Sequence, residues 1–154
     1  MKKLMKFVFE SWTNYKIVIK DTIFILGRNL LQNKLEFKKC PTCKYTWENQ
    51  SDFLSDSNLE LIGYQANFAN PGAGIILFNH SCHSTIALKV KSVENLYDGP
   101  IFKKNAAGDE CPGFCLYKDN LEKCPVECEC AFVREIIDII KAWPKKPSNL
   151  PQAV

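Results

Sequence analysis

The apolar positions of the first 36 residues recur at steps of three and four, which predicts one or two helices over residues 4–33. The apolar stripe consists of Val8, Trp12, Tyr15, Ile19, Ile23, Leu26 and Leu30. Further apolar side chains lie off this stripe, so the helix is hydrophobic on more than one side. Such a helix packs against the body of the protein, a second copy of the chain or a protein partner, or it lies in a membrane interface with its lysines toward the headgroups.

The hydrophobic period changes toward two after residue 58. Residues 59–68 and 75–80 alternate as strands do, and the Pro- and Gly-containing stretch 70–74 between them predicts a hairpin turn. Residues 85–90 are predicted to form a third strand. The polar stretch 52–58, which precedes the first strand, is predicted to be a turn.

The last regular pattern predicts a helix over residues 130–143, which Pro144 ends. Together these patterns predict an α+β fold: a small antiparallel sheet, flanking helices and cysteine-rich loops stapled by metal. The expected organisation is a basic amphipathic segment at 1–36, a cysteine-rich metal-binding domain at 37–144 and a flexible tail at 145–154.

Charge is distributed unevenly along the 154 residues, whose formal net charge is +3. Residues 1–39 contain nine Lys/Arg and three Asp/Glu, a balance of +6, which leaves −3 for the remainder. A basic arm of this kind can contact an anionic membrane surface, an acidic partner or nucleic acid, or it can be a solvated helix face. Nucleic acid is disfavoured here because the body is acidic and its aromatic residues are not interleaved with Lys/Arg.

Neither an export signal nor a membrane span is predicted. Glu10 interrupts the apolar run after the charged N-terminus, and the most apolar 20 residues, 12–31, contain four charged side chains. We therefore expect a cytoplasmic protein, or one bound peripherally at the inner face of the membrane. In such a reducing compartment the eight cysteines, which fall between Cys40 and Cys130, are expected to be metal ligands rather than disulfides.

The first cysteine motif is Cys40-Pro-Thr-Cys43, with Trp47 shortly after it. A tight turn at the proline presents both sulfurs to one ion, and the motif resembles the half-site of zinc ribbons and of rubredoxin-like iron sites. A thioredoxin-type redox pair is the alternative, but it requires the first cysteine at a helix start after a buried strand. Here the polar stretch Glu-Phe-Lys-Lys precedes Cys40, so a metal site, with zinc as one candidate, is favoured.

A half-site needs two further ligands, and the chain's two histidines stand together in His80-Ser-Cys82-His83. On an extended strand His80 and Cys82 point to the same face, so they can complete a tetrahedral site with Cys40 and Cys43. In the competing interpretation His80 is a polar residue that closes a hairpin and Cys82 is a small buried hydrophobe. The sequence leaves both interpretations open.

The strongest metal signal is a cluster of five cysteines within twenty residues: Cys111, Cys115, Cys124, Cys128 and Cys130. Two Cys-Pro-x-x-Cys copies form a small repeat, and so dense a loop requires a metal to organise it. Four thiolates suit zinc or a [4Fe–4S] cluster. The prolines and the aromatic neighbours favour the cluster. At the start of the final helix, the Cys130 thiolate should be stabilised by the helix dipole.

These features predict a metal- or redox-responsive accessory or sensor module. The alternatives are an iron–sulfur electron-transfer protein or oxidoreductase subunit, and a zinc-ribbon nucleic-acid-binding protein. An enzyme is less favoured, because the chain has no Gly-x-Gly-x-x-Gly or Walker-type loop and Cys82 and His83, as neighbours on a strand, would face opposite sides.

The basic segment provides a first test. Deletion of residues 1–36 should leave the cysteine-rich domain folded, with its metal, and raise its solubility, because the segment's apolar surface is predicted to serve association. Gel filtration and metal analysis of the truncated chain measure this. An insoluble or metal-free truncation would show instead that the segment belongs to the core.

Overall fold

The computed structural model describes residues 36–106 and 110–147. Within them the chain forms five strands and two α-helices. In chain order these are β1 (Lys38–Lys39), β2 (Thr46–Trp47), α1 (Gln50–Ser55), β3 (Leu59–Gln65), β4 (Ile75–His80), β5 (Thr85–Lys89) and α2 (Ala131–Lys141). The predicted α+β class is confirmed. The helices predicted for residues 4–33 lie outside the described residues.

The strands form two antiparallel sheets. β1 pairs with β2 in a hairpin of two residue pairs, and β3, β4 and β5 form a three-stranded sheet in that order. Alternation places Ile76 and Phe78 of β4 in the core, beside Ile86 and Leu88 of β5. The three predicted strands are therefore confirmed, with β3 ending at Gln65 rather than at residue 68.

α2 packs an apolar stripe into the core. Phe132, Val133, Ile136, Ile137 and Ile140 are buried, as the spacing of three and four predicts. The helix ends at Lys141, three residues before Pro144. The predicted C-terminal helix is thus confirmed and is shorter by about a turn.

Residues 52–55 of the segment predicted to be a polar turn at 52–58 instead belong to α1, and the turn is confined to the residues that follow the helix. Asn49 caps the helix, its side-chain oxygen accepting from the backbone N–H of Asp52 at 2.9 Å. Phe53 and Leu54 are fully buried, so the burial of two adjacent apolar side chains stabilises a helix of only six residues. Tertiary packing has overridden the polar composition of this stretch.

A run of edge-to-face aromatic contacts joins the two sheets. Phe53 lies 5.1 Å from Trp47 of β2 and 5.0 Å from Phe78 of β4, measured between ring centroids. The Trp47 indole N–H donates to the Asp56 carboxylate at 2.8 Å, which satisfies its one polar group. α1 is therefore the bridge between the short hairpin and the three-stranded sheet.

The cysteine-rich loop touches the free edge of β3. A bulge interrupts the β3–β4 register between Leu61 and Gly63, and the backbone N–H of Tyr64 donates to the Lys118 carbonyl at 2.8 Å. A Cβ on Gly63 would stand 3.0 Å from that same carbonyl oxygen. Glycine at position 63 lets the loop approach this closely.

The segment after α2 returns to α1. The Lys146 backbone N–H donates to the Ser55 carbonyl at 2.7 Å, and the Lys145 ammonium donates to the carbonyls of Asp56 and Leu59. Of the predicted flexible tail, residues 148–154 lie outside the described part of the chain. Within residues 36–106 and 110–147, neither helix has the length and hydrophobicity needed to cross a bilayer.

The aromatic bridge can be tested with Phe53→Ala. Loss of a fully buried phenyl ring should lower the free energy of unfolding by about 3–5 kcal/mol, because it leaves a cavity between the rings of Phe37, Trp47 and Phe78. Phe68→Ala is the control, since Phe68 is 59% exposed and its loss should cost less than about 0.5 kcal/mol. Urea denaturation measures both. Equal effects of the two substitutions would contradict the assignment.

Candidate metal centre

Two hairpin turns bring four metal-ligating side chains together. Cys40 and Cys43 lie in the turn that joins β1 to β2, His80 ends β4, and Cys82 lies in the turn that leads to β5. Their ligand atoms all lie within 4.8 Å of one another. The Cys40 and Cys82 sulfurs are 3.5 Å apart, and His80 Nδ1 lies 3.0 Å from Cys82 Sγ and 3.6 Å from Cys43 Sγ.

The first turn is held by its own backbone. The Cys40 N–H donates to the Tyr45 carbonyl at 2.8 Å, and the Lys44 N–H donates to the Cys40 carbonyl at 3.2 Å. Lys44 takes a left-handed backbone conformation, with φ at 65°, which reverses the chain after the second sulfur. The N–H groups of Thr42 and Cys43 point at the Cys40 sulfur, and that of Tyr45 points at the Cys43 sulfur.

The second turn repeats this design with one residue fewer. The His80 N–H donates to the Ser84 carbonyl at 2.9 Å, and the His83 N–H donates to the His80 carbonyl at 2.8 Å. His83 has φ at 63°, the counterpart of Lys44. The Ser84 N–H points at the Cys82 sulfur, two residues earlier, as the Tyr45 N–H points at the Cys43 sulfur. Two similar turns therefore face each other across the four ligand atoms.

The distances between these atoms fit one tetrahedral ion. A zinc–sulfur distance of about 2.3 Å places two sulfurs of one tetrahedral site roughly 3.8 Å apart. The Cys40–Cys82 separation of 3.5 Å is close to that value. In a cubane cluster each cysteine binds a different iron, so its sulfurs lie further apart. The set of three cysteines and one histidine can hold a metal ion.

Cys40 is the most perturbed thiol of the set. Its full burial raises the pKa, but hydrogen bonds from the Ser84 hydroxyl and the backbone of Cys43 and Thr42 outweigh burial and lower the pKa from 9.0 to about 5. The Ser84 hydroxyl lies 3.1 Å from both the Cys40 and the Cys82 sulfur. Sequence analysis did not identify Ser84 as part of the site. Its position two residues after Cys82 was the only feature of the sequence that could have indicated this role.

The imidazole of His80 is fixed by its surroundings. Trp47 packs against it edge-to-face at 5.3 Å, which is the role of the aromatic residue after the first cysteine motif. His80 is 8% exposed, so its ring is shielded from solvent. Cys43, by contrast, is exposed and opens onto a cleft of about 900 Å³ whose wall includes Tyr45 and Asn58.

The five C-terminal cysteines are arranged differently. Cys130 Sγ lies 3.5 Å from both Cys115 Sγ and Cys128 Sγ, so three sulfurs form a row. Cys111 is exposed, and Cys124 donates its S–H to the Val126 carbonyl at 3.7 Å. In the described part of the chain, which includes all five, no three of these sulfurs lie within 4.8 Å of one another. The predicted cluster at these residues stays a prediction.

In this row of sulfurs, the pKa of the Cys115 thiol is lowered and the pKa of the Cys130 thiol is raised. The side-chain hydrogen bond between Cys115 and Cys130, with help from Arg134, lowers the pKa of Cys115 to about 6 against the opposing effect of burial. Cys130 is the N-cap of α2, as predicted. However, its hydrogen bond to Cys115 and its burial raise its pKa, so the helix dipole does not make it the preferred thiolate.

The comparisons with known proteins return nothing: no family model, no curated protein and no solved structure matches this chain. The four-ligand group is consequently the observation from which a function can be argued.

Ser84→Ala tests the electrostatics of this group. Removal of the hydroxyl should raise the pKa of the Cys40 thiol by about one to two, since a hydrogen bond to a charged group contributes about 1.5–3 kcal/mol. The folded-state pKa of about 5 lies below the ordinary value of 9.0, so metal-free stability should rise with pH between those values. In the variant that rise should be smaller.

Carbon-13 NMR of the cysteine Cβ atoms measures the pKa, and urea denaturation at several pH values measures the stability. Ser81→Ala is the control, because Ser81 lies in the same turn with an exposed side chain. An unchanged Cys40 titration in Ser84→Ala would contradict the assigned role of the hydroxyl.

Proposed function

We propose that this chain is a zinc-stapled accessory module in which one ion held by Cys40, Cys43, His80 and Cys82 joins the short hairpin to the three-stranded sheet. The observation that carries the proposal is the meeting of four ligand atoms, from two hairpin turns, within 4.8 Å. Three sulfurs and one imidazole nitrogen are a donor set that suits zinc.

The donor set favours a structural role for the ion. Four protein ligands fill a tetrahedral shell and leave no position for a substrate or an activated water, whereas catalytic zinc keeps such a position. Three thiolates and a neutral imidazole around a divalent ion carry one net negative charge. The backbone N–H groups aimed at the sulfurs offset that charge, as outer-shell partners of metal sites commonly do.

The energetic reason for such a staple is loop closure. Cys43 and His80 are 37 positions apart, and an ion between them closes that loop as a disulfide would. For a loop of this length the entropic effect on the unfolded chain is about 4 kcal/mol. Since β1 and β2 contribute two residue pairs, the staple supplies stability that this hairpin lacks by itself.

One observation favours a second candidate function, a metal-responsive sensor. Cys43 is exposed at the wall of the cleft, so competing chelators and oxidants can reach one of the four ligands directly. Loss of that ligand would open the shell and release the short hairpin. The rate of zinc transfer to a chromophoric chelator distinguishes a sensor, with fast transfer, from a purely structural site.

An iron–sulfur electron carrier remains the third candidate, and it belongs to the five C-terminal cysteines. Its signature is a brown protein, because thiolate-to-iron charge transfer absorbs visible light and zinc, with a filled d shell, does not. Colourless protein with stoichiometric zinc after anaerobic purification would remove this candidate.

Metal analysis of matched variants tests the zinc proposal. Cys40→Ser/Cys82→Ser should lose one equivalent of zinc per chain, because two remaining ligands do not hold the ion, whereas His80→Cys should retain it, because a fourth thiolate also completes a tetrahedral shell. With cobalt(II) in place of zinc, His80→Cys should show a stronger sulfur-to-metal charge-transfer band. Cys111→Ser is the control, since Cys111 is not among the four ligands. Undiminished zinc in Cys40→Ser/Cys82→Ser would sink the proposal.

A further inference from the structure

Arg134 is a fully buried cation without a carboxylate partner. Its side chain is 0% exposed, and none of the ion pairs found in residues 36–106 and 110–147 includes it. One guanidinium nitrogen, Nη1, donates to the Asn120 carbonyl, and the group lies over the Tyr64 ring at 5.3 Å. Nε and Nη2 have no hydrogen-bond acceptor there. A charge buried in this way requires an anion beside it.

The groups that can supply this anion are thiols. The Arg134 guanidinium is near enough to Cys115 to help lower the pKa of its thiol. The Cys115 and Cys128 sulfurs each lie 3.5 Å from the Cys130 sulfur. Cys115 belongs to a 3-10 turn, Phe114–Leu116, Cys130 is the N-cap of α2, and Cys128 lies two residues before that cap. The buried Cys128 sulfur also accepts from the Ala106 N–H at 3.4 Å.

We propose that Cys115, Cys128 and Cys130 form a second metal site, for a single thiophilic divalent ion such as zinc, whose negative thiolates are balanced by Arg134. Three thiolates, one divalent ion and one guanidinium sum to zero charge, which is what an enclosed site next to the core requires. The site shares no residue with the four-ligand centre, so it extends the proposed function without depending on it.

Two of the three sulfur spacings suit one ion better than a cubane. The sulfur pairs Cys115–Cys130 and Cys130–Cys128, each at 3.5 Å, are close to the roughly 3.8 Å that one tetrahedral zinc imposes, whereas Cys115 and Cys128 are further apart, so binding of one ion requires Cys115 to move toward Cys128. Three protein ligands leave the fourth position to water or to an incoming thiol. The donors Nε and Nη2 of Arg134 are then available to the bound thiolates, as outer-shell groups.

Cobalt(II) and zinc(II) titrations of the full chain test this site. The unmodified chain should bind about two equivalents of either ion, and Cys115→Ser/Cys130→Ser should bind about one. The matched control is Cys111→Ser/Cys124→Ser, which removes two cysteines outside the row and should keep both equivalents. In the first variant, the cobalt spectrum of the four-ligand centre should persist and so report that the domain is folded.

Arg134→Met tests the charge balance. Loss of the guanidinium should weaken the second equivalent roughly 10–100-fold and leave the first unchanged, whereas Arg134→Lys should restore part of the affinity. Three outcomes would overturn the proposal: a metal stoichiometry that Cys115→Ser/Cys130→Ser leaves unchanged, rapid alkylation of Cys115 and Cys130 in the presence of excess zinc, or a brown iron chromophore that Cys115→Ser/Cys130→Ser abolishes. Loss of the four-ligand centre alone would overturn only the zinc staple.

Discussion

The β1–β2 hairpin is too short to be stable by itself, so it depends on contacts with the rest of the domain. Two residue pairs, Lys38↔Trp47 and Lys39↔Thr46, form its whole ladder. Such a ladder does not persist in water without additional packing. Trp47 anchors it against Phe53, and the Cys40 turn rests against the turn at the end of β4. Both attachments lead to the three-stranded sheet, which is the rigid part of the domain.

The sheet positions the second half of the centre through ordinary backbone pairing. His80 is in register with Leu59, and the next N–H, that of Ser81, donates to the Asn58 carbonyl at 3.0 Å. The turn that contains Cys82 is thereby fixed on both sides before any ion is considered. The two turns meet where the rings of Tyr45 and Trp47 pack against His80, so the fold brings the four ligand atoms together.

Sequence reasoning succeeded where one periodicity governs a long stretch. β4, β5 and α2 follow from alternation and from steps of three and four, and their bounds differ from expectation by a few residues. It missed α1, because six mostly polar residues carry no periodic signal and the helix depends on where Phe53 packs. Local pattern cannot report a contact made with a distant strand.

In the candidate metal centre, too, the sequence predicted some features and missed those that depend on contacts between distant residues. The spacing of His80 and Cys82 suggested a shared face on an extended strand, whereas a turn with His83 at positive φ in fact brings them together. The residue types were informative although the assumed backbone was not. Ser84 and Arg134 carry no motif at all: one is recognised only by its distance to two sulfurs, the other only by its burial.

The contact between β3 and the cysteine-rich loop has a consequence for solubility. An exposed edge strand is a template for pairing with other chains, and β3 stands at an edge of its sheet. The Lys118 carbonyl takes up the Tyr64 N–H at 2.8 Å, and the bulge near Gly63 bends the edge out of the flat geometry that intermolecular pairing needs. The loop that carries the cysteines therefore covers part of this edge. A chain in which the loop detaches would expose β3 to pairing with strands of other molecules, which favours aggregation.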